Sequence, residues 1–180
     1  MTLANKISVM RILLVPVFAA SLVYYNPVHD QLRYVSVGLF LLGVASDAID
    51  GFIARAQNQH TELGRVLDPI ADKLLILTGL IGLSTIRAIP PEMRIPAWLN
   101  LVVISRDVVV VTGTMLLFGF TGKWLVRPSW VGKTAVGAQM LVVLVVLLRW
   151  PMKLEVMMVA AVLTVLSGIG YVRDGMRALS

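Results

Sequence analysis

The sequence predicts an all-α integral membrane protein, a bundle of six transmembrane helices forming a single domain over residues 1–180. Three observations predict it. Of the 180 residues, 58% are hydrophobic and only 14% charged, too few charges for a soluble domain to cover itself with water-facing groups. The apolar residues gather into six runs, each long enough to cross a hydrocarbon core of about 30 Å, which takes roughly 20 helical residues. Between the runs, Pro, Gly and charged residues cluster in short breaks that leave no room for a separate soluble domain.

The first run, Ile7–Tyr25, follows Lys6 and carries Arg11 and Pro16 inside it. More apolar sequence follows without a small-residue cleavage site, so it reads as a retained helix and not as a cleaved signal. After Asn26-Pro27 comes Leu32–Ala54, which turns acidic in its last third. A break at Gln57–His60 leads to Asp68–Ile86, with Pro69 in the first turn, where a missing N–H costs little. The Ile89–Pro96 break precedes Ala97–Phe118, and Gly119–Pro128 precedes Ser129–Leu148. Trp150-Pro151 then separates the last run, Leu154–Val172. Trp98, Trp130 and Trp150 fall near helix ends, as interfacial anchors do.

The chain has no cysteine, which excludes disulfides, zinc–thiolate sites and thiol nucleophiles. Its net charge of +6 is spread over loops and helix ends, without the basic and aromatic interleaving of a nucleic-acid surface. His29 and His60 fall in breaks at no metal-ligand spacing. With both termini inside, Lys6, Arg55, Arg65, Lys123, Arg127, Arg173 and Arg177 are cytoplasmic, against Arg33, Arg87, Arg94, Arg149 and Lys153 outside. This bias sets a cytoplasmic N-terminus, and it brings every intramembrane acid of the second and third helices to the cytoplasmic side.

Those acids carry the chemistry. Asp47 and Asp50 are spaced i, i+3, and Asp68 and Asp72 i, i+4, so each pair shares one helix face. A short link from about Gln57 to Arg65 makes the two helices antiparallel neighbours and brings four carboxylates to one point. A single charge at mid-membrane costs about 2.5–3.5 kcal/mol, and four like charges repel or protonate. Oxygen-only ligands select hard cations, so two Mg²⁺ or Mn²⁺ ions are the natural counterweight. The competing reading pairs these acids with Arg55, Arg65 and Lys73 as structural salt bridges. Gly51, Ala54 and Gly64 lie on the same faces and leave room for a ligand, or simply let the helices pack closely.

Read together, residues 47–72 form Asp47-x2-Asp50-Gly51-x2-Ala54-Arg55-x8-Gly64-x3-Asp68-x3-Asp72. All eight fixed positions resemble the signature of the CDP-alcohol phosphatidyltransferase family, whose six-helix layout also matches this chain over essentially its whole length. The resemblance implies a membrane enzyme that transfers a phosphatidyl group from CDP-diacylglycerol to an alcohol and releases CMP. It implies metal ligation by Asp47, Asp50, Asp68 and Asp72, with Asp72 also taking the proton of the attacking hydroxyl. Asp47, Gly51, Ala54, Arg55 and Gly64 match the positions that hold the nucleotide. A homodimer and a multi-pass inner-membrane location with a cytoplasmic active site come with the family.

Three more cations sit within or at the ends of membrane runs: Arg11, Arg106 and Lys133. Intramembrane cations default to functional roles, and these are candidates for an acceptor phosphate, Arg106 as a fork and Lys133 as a point charge. Adjacent helix residues point apart, which disfavours an ion pair between Arg106 and Asp107; Lys133 equally fits snorkelling to lipid phosphates. The N-terminal stretch, the run Leu67–Lys73 and Ser129–Lys133 resemble the phosphatidylglycerophosphate synthase branch, which implies glycerol 3-phosphate as acceptor. Asp107, where that branch carries Glu, and the run Ile104–Val108 are closer to CMP-forming cardiolipin synthases, whose acceptor is phosphatidylglycerol. A cation transporter is the rival from another class, but its acids should continue along a pathway, and the segment Leu74–Leu77 is apolar. Intramembrane prenyl transfer also uses acidic motifs with Mg²⁺, yet leaves the Gly-x2-Ala-Arg insert unexplained.

Overall fold

The computed structural model describes residues 3–28, 30–57, 62–121 and 129–179; the side chains of 3–8, 47–57, 62–70, 72, 118, 120–121 and 178–179 lie outside the description. Six α-helices follow one another: α1 (Leu3–Val23), α2 (Gln31–Gln57), α3 (Glu62–Thr85), α4 (Ala97–Thr121), α5 (Trp130–Leu147) and α6 (Lys153–Leu179). A single 3₁₀ turn, Pro91–Met93, precedes α4. No β-strand occurs among the described residues.

Each apolar run of the sequence becomes one helix, but the bounds differ where polar residues extend a helix beyond its apolar stretch. α2 runs on to Gln57 and α6 to Leu179. α3 begins at Glu62, so the link to α2 shrinks to 58–61, which lie outside the described residues. Pro69 therefore sits inside α3 and not in its first turn, correcting the sequence expectation. Apolarity marked the start of that run, whereas the polar residues from Glu62 onward are competent helix formers. Pro16 is likewise internal to α1, which continues through it. His29 and His60 fall outside the described residues.

Among the described residues, three stretches are long and apolar enough to cross a membrane: Pro91–Leu117, Trp130–Leu147 and Lys153–Arg177. The first three helices carry shorter apolar stretches, Val9–Val23, Gln31–Ser46 and Lys73–Thr85. For α2 and α3 the apolar stretch ends at the acidic turns.

The chain divides into two compact units. Unit 1 comprises residues 1–94 with Val146–Arg149. In it α1 packs along both α2 and α3, and α2 touches α3. Phe18 and Phe40 meet with ring centroids 5.6 Å apart, Ser21 and Ser36 share a hydrogen bond of 2.8 Å, and Leu22, Leu75, Leu80 and Leu83 fill the interior. At one end, Asp30 accepts hydrogen bonds from Tyr25 Oη at 2.9 Å, Arg33 Nε at 2.8 Å and Arg149 Nη2 at 3.0 Å. Arg33 Nη1 also donates to the Leu147 carbonyl at 3.2 Å.

Arg149 closes the end of α5 with φ at 54°. Its N–H bonds the Val146 carbonyl at 3.0 Å, and the Trp150 N–H bonds Val145 at 2.9 Å. This is the Schellman pattern, which satisfies carbonyls that a helix end would otherwise orphan.

Unit 2 holds α4, most of α5, and α6. α4 packs on α6, and polar rungs tie the helices. Thr114 and Tyr171 hydroxyls share a bond of 2.8 Å, and buried Gln139 donates to Thr164 at 3.0 Å. Gly113 makes room for the tyrosine ring, because a Cβ there would lie 2.9 Å from Tyr171 Cε1. In surroundings without water, each such rung answers a polar group that would otherwise stay unsatisfied.

Candidate active site

The acidic signature lies on α2 and α3. Asp47, Asp50, Gly51, Ala54 and Arg55 occupy the last third of α2; Gly64, Asp68 and Asp72 occupy the first half of α3. Their side chains lie outside the described residues, as does a four-carboxylate cluster as such; among the described residues no group of three acids or histidines could hold a metal. The backbone and the described neighbours nonetheless fix where these positions fall.

The two helices approach at Gly43. A Cβ there would fall on Leu75 Cδ2, and Leu75 is fully buried, so only glycine admits this contact. At about 100° per residue, Asp47 and Asp50 lie within about 40° of the direction of Gly43, and Asp68 and Asp72 within about 60° of Leu75. The acidic positions therefore continue the two stripes that meet at the crossing.

Heights agree as well. The contacts Phe18–Phe40 and Ser21–Ser36 make α1 and α2 antiparallel, and Gly82, whose Cβ would lie 2.9 Å from Leu22 Cδ1, ties α3 to α1. Since all helices rise equally per residue, Arg11 on α1 comes level with Ser46 and Asp47 on α2 and with Ala71 on α3. Asp50 comes level with Asp68. Arg11 is wholly buried (0% exposed), as is Ala71. The arginine named from sequence as an intramembrane cation is thus an interior residue of unit 1, at the height of the acidic turns.

Unit 2 contains a second functional constellation. Arg106 Nη1 donates to Asp107 Oδ1 at 2.9 Å, and Nη2 donates to Ser167 Oγ at 2.6 Å. The pair with Asp107, disfavoured from sequence because neighbours on a helix diverge, does form. The long arginine stem folds back across the helix surface to reach it. Gly132, in the first turn of α5, leaves the space: a Cβ there would sit 3.2 Å from Arg106 Nη2. Arg106 Nε is buried with no hydrogen-bond partner. A buried donor of this kind costs about 1–3 kcal/mol when left unmade, so it marks a place for an acceptor atom.

Arg106 lines a cavity of about 730 Å³ between α4 and α6, whose walls are Leu101, Val109, Val165 and Ile169 and which reaches a second cation, Arg173. Sequence reasoning counted Arg173 only toward orientation; its place one helical turn and a half beyond Ser167 was the available signal. Lys133 is not among the lining residues. It is exposed, with Nζ over the Trp130 ring at 5.3 Å.

Comparison with known proteins decides the class. The family model for CDP-alcohol phosphatidyltransferases matches residues 1–166. The chain belongs to the CDP-alcohol phosphatidyltransferase family. It is similar to a "probable phosphatidylglycerophosphate synthase" of Mycobacterium tuberculosis, with 34% identity covering 97% of this chain and 82% of that one. It is also similar to the "CDP-diacylglycerol--glycerol-3-phosphate 3-phosphatidyltransferase" of Bacillus subtilis, 33% identical over 98% of this chain and 96% of the other. The Escherichia coli K12 protein of the same name is 30% identical over 92% and 90%. Membership makes the chain an enzyme, as the sequence signature implied, and the CDP-alcohol phosphatidyltransferase family generally depends on divalent metal.

Proposed function

We propose that this enzyme transfers the phosphatidyl group of CDP-diacylglycerol to glycerol 3-phosphate, giving phosphatidylglycerophosphate and CMP. Six helices cross the cell membrane with the acidic turns on the cytoplasmic side, in a single domain that works as a homodimer. The observation that carries the site is the Gly43–Leu75 crossing, with four acidic positions continuing its two stripes. The acceptor is supported by the relatives' names and by a buried guanidinium with an unused N–H beside a cavity. Phosphatidylglycerol as acceptor has no relative's name among these behind it, and ion transport has no support from the family.

The residues fit a metal pair by their chemistry: four carboxylates and, in the whole chain, no thiol. Asp47, Asp50, Asp68 and Asp72 would hold two Mg²⁺ or Mn²⁺ ions. When bound, such ions neutralise the carboxylates and the pyrophosphate and make phosphorus more electrophilic. Asp47, Gly51, Ala54, Arg55 and Gly64 hold the cytidine nucleotide, the small residues letting it lie against the backbone. Asp72 accepts the proton of the acceptor hydroxyl, whose oxygen forms the new bond to the phosphorus bearing diacylglycerol as the bond to CMP breaks. Arg106 binds the acceptor phosphate as a fork, with Lys133 and Arg11 as the other cations assigned to it.

The test offers CDP-diacylglycerol with glycerol 3-phosphate, phosphatidylglycerol, serine or inositol phosphate in turn and identifies the lipids by mass spectrometry. Metal-dependent phosphatidylglycerophosphate with stoichiometric CMP is expected. Cardiolipin from phosphatidylglycerol alone would overturn the acceptor, and ion flux without CMP would overturn the reaction.

A further inference from the structure

We propose that Ser167 is a positioning residue for the acceptor, acting through Arg106. The inference rests on the reading of Arg106 as the acceptor-phosphate fork. An arginine side chain is long and rotamer-rich, and ordering it on binding opposes affinity. Here the ordering is done in advance. Ser167, 2% exposed, accepts from Nη2 at 2.6 Å, while Asp107 accepts from Nη1 at 2.9 Å. Gly132 walls the guanidinium on the α5 side, and Gly168 meets its stem, where a Cβ would lie 3.4 Å from Arg106 Cγ. With both terminal nitrogens anchored, Nε is the donor left without a partner, and it turns no further than those two anchors allow. The serine thus converts a flexible cation into a fixed one, presented from the α4–α6 cavity. Asp107 alone could not do this, since a single anchor leaves the planar group free to swing about that bond.

The experiment measures kcat, KM for glycerol 3-phosphate, KM for CDP-diacylglycerol and thermal midpoint on the purified full chain. Losing one hydrogen bond to a charged group corresponds to about tenfold or more in an equilibrium constant. Ser167→Ala is expected to raise KM for glycerol 3-phosphate about tenfold, with kcat, the donor KM and the midpoint little changed. Ser167→Thr, which keeps the hydroxyl, should restore the acceptor KM. A lowered midpoint in Ser167→Ala with an unchanged acceptor KM would make the serine merely structural. Ser167→Cys, closest in size, supplies the same comparison should the alanine variant fold poorly. Arg106→Lys and Arg106→Met separate the two levels of the inference. If neither moves the acceptor KM, the fork reading itself fails. If both raise it while Ser167→Ala does not, only the positioning role fails.

Discussion

At the scale of single residues, Gly43 and Arg149 illustrate opposite uses of backbone freedom. Gly43 is needed for closeness. Its neighbour Leu75 is fully buried and has no room to retreat, so Gly43→Ala should destabilise the protein by about 1–3 kcal/mol, in the range of core overpacking, and lower activity with it. Leu75→Val in the same chain should recover part of the loss; thermal unfolding of the single and double variants measures the coupling. Arg149 does the reverse. It occupies a left-handed position usually given to glycine, at a cost of about 1–2 kcal/mol. In return it donates to Tyr25 Oη at 2.8 Å and to Asp30 at 3.0 Å. Because its side chain is 37% exposed, that ion pair is worth little. Arg149→Gly should therefore lie within about 1 kcal/mol of the parent, whereas Arg149→Ala, which keeps the strain and loses the bonds, should be the less stable of the two.

At the scale of elements, the α1–α2 connection carries a pH dependence. The Asp30 carboxyl is held below its ordinary range, chiefly by the hydrogen bond from Arg33, with Tyr25 and Arg149 adding to it against desolvation. A depressed carboxylate stabilises the fold above its unfolded value and loses that contribution as pH falls through the folded one. Thermal midpoints should thus drop from the ordinary carboxylate range downward, and Asp30→Asn should flatten that part of the profile. Helices and their order were legible in the sequence because apolar runs and Pro or Gly breaks are local signals. The acidic signature was legible for the same reason: its spacings lie within two neighbouring helices. The start of α3 was not, since the run was bounded by apolarity and the helix extends beyond it. Nor was the Arg106–Ser167 bond, whose partners are 61 residues apart and give no local sign of meeting. The Arg106–Asp107 pair was misjudged because side-chain length, not Cβ direction, decides it.

At the scale of the whole molecule, chelation should abolish turnover, and Mg²⁺ or Mn²⁺ should restore it. The same ions should raise the thermal midpoint of the parent, because a ligand that binds only the folded state stabilises it; asparagine at Asp47, Asp50 or Asp68 should weaken that rise. Asp72→Asn should lose turnover while keeping much of the nucleotide binding, measured by CMP titration; retained turnover would remove Asp72 from the proton-accepting role.

The buried arginine of the first helix also bears on how the chain is made. In a bilayer, α1 alone would present Arg11 to hydrocarbon, at about 2.5–3.5 kcal/mol on insertion scales, and it finds its enclosure only once α2 and α3 lie against it. Biosynthesis should therefore hold the first helix near the translocon until two more have emerged: nascent chains cut after about residue 30 should integrate poorly, and those cut after Arg94 should integrate well.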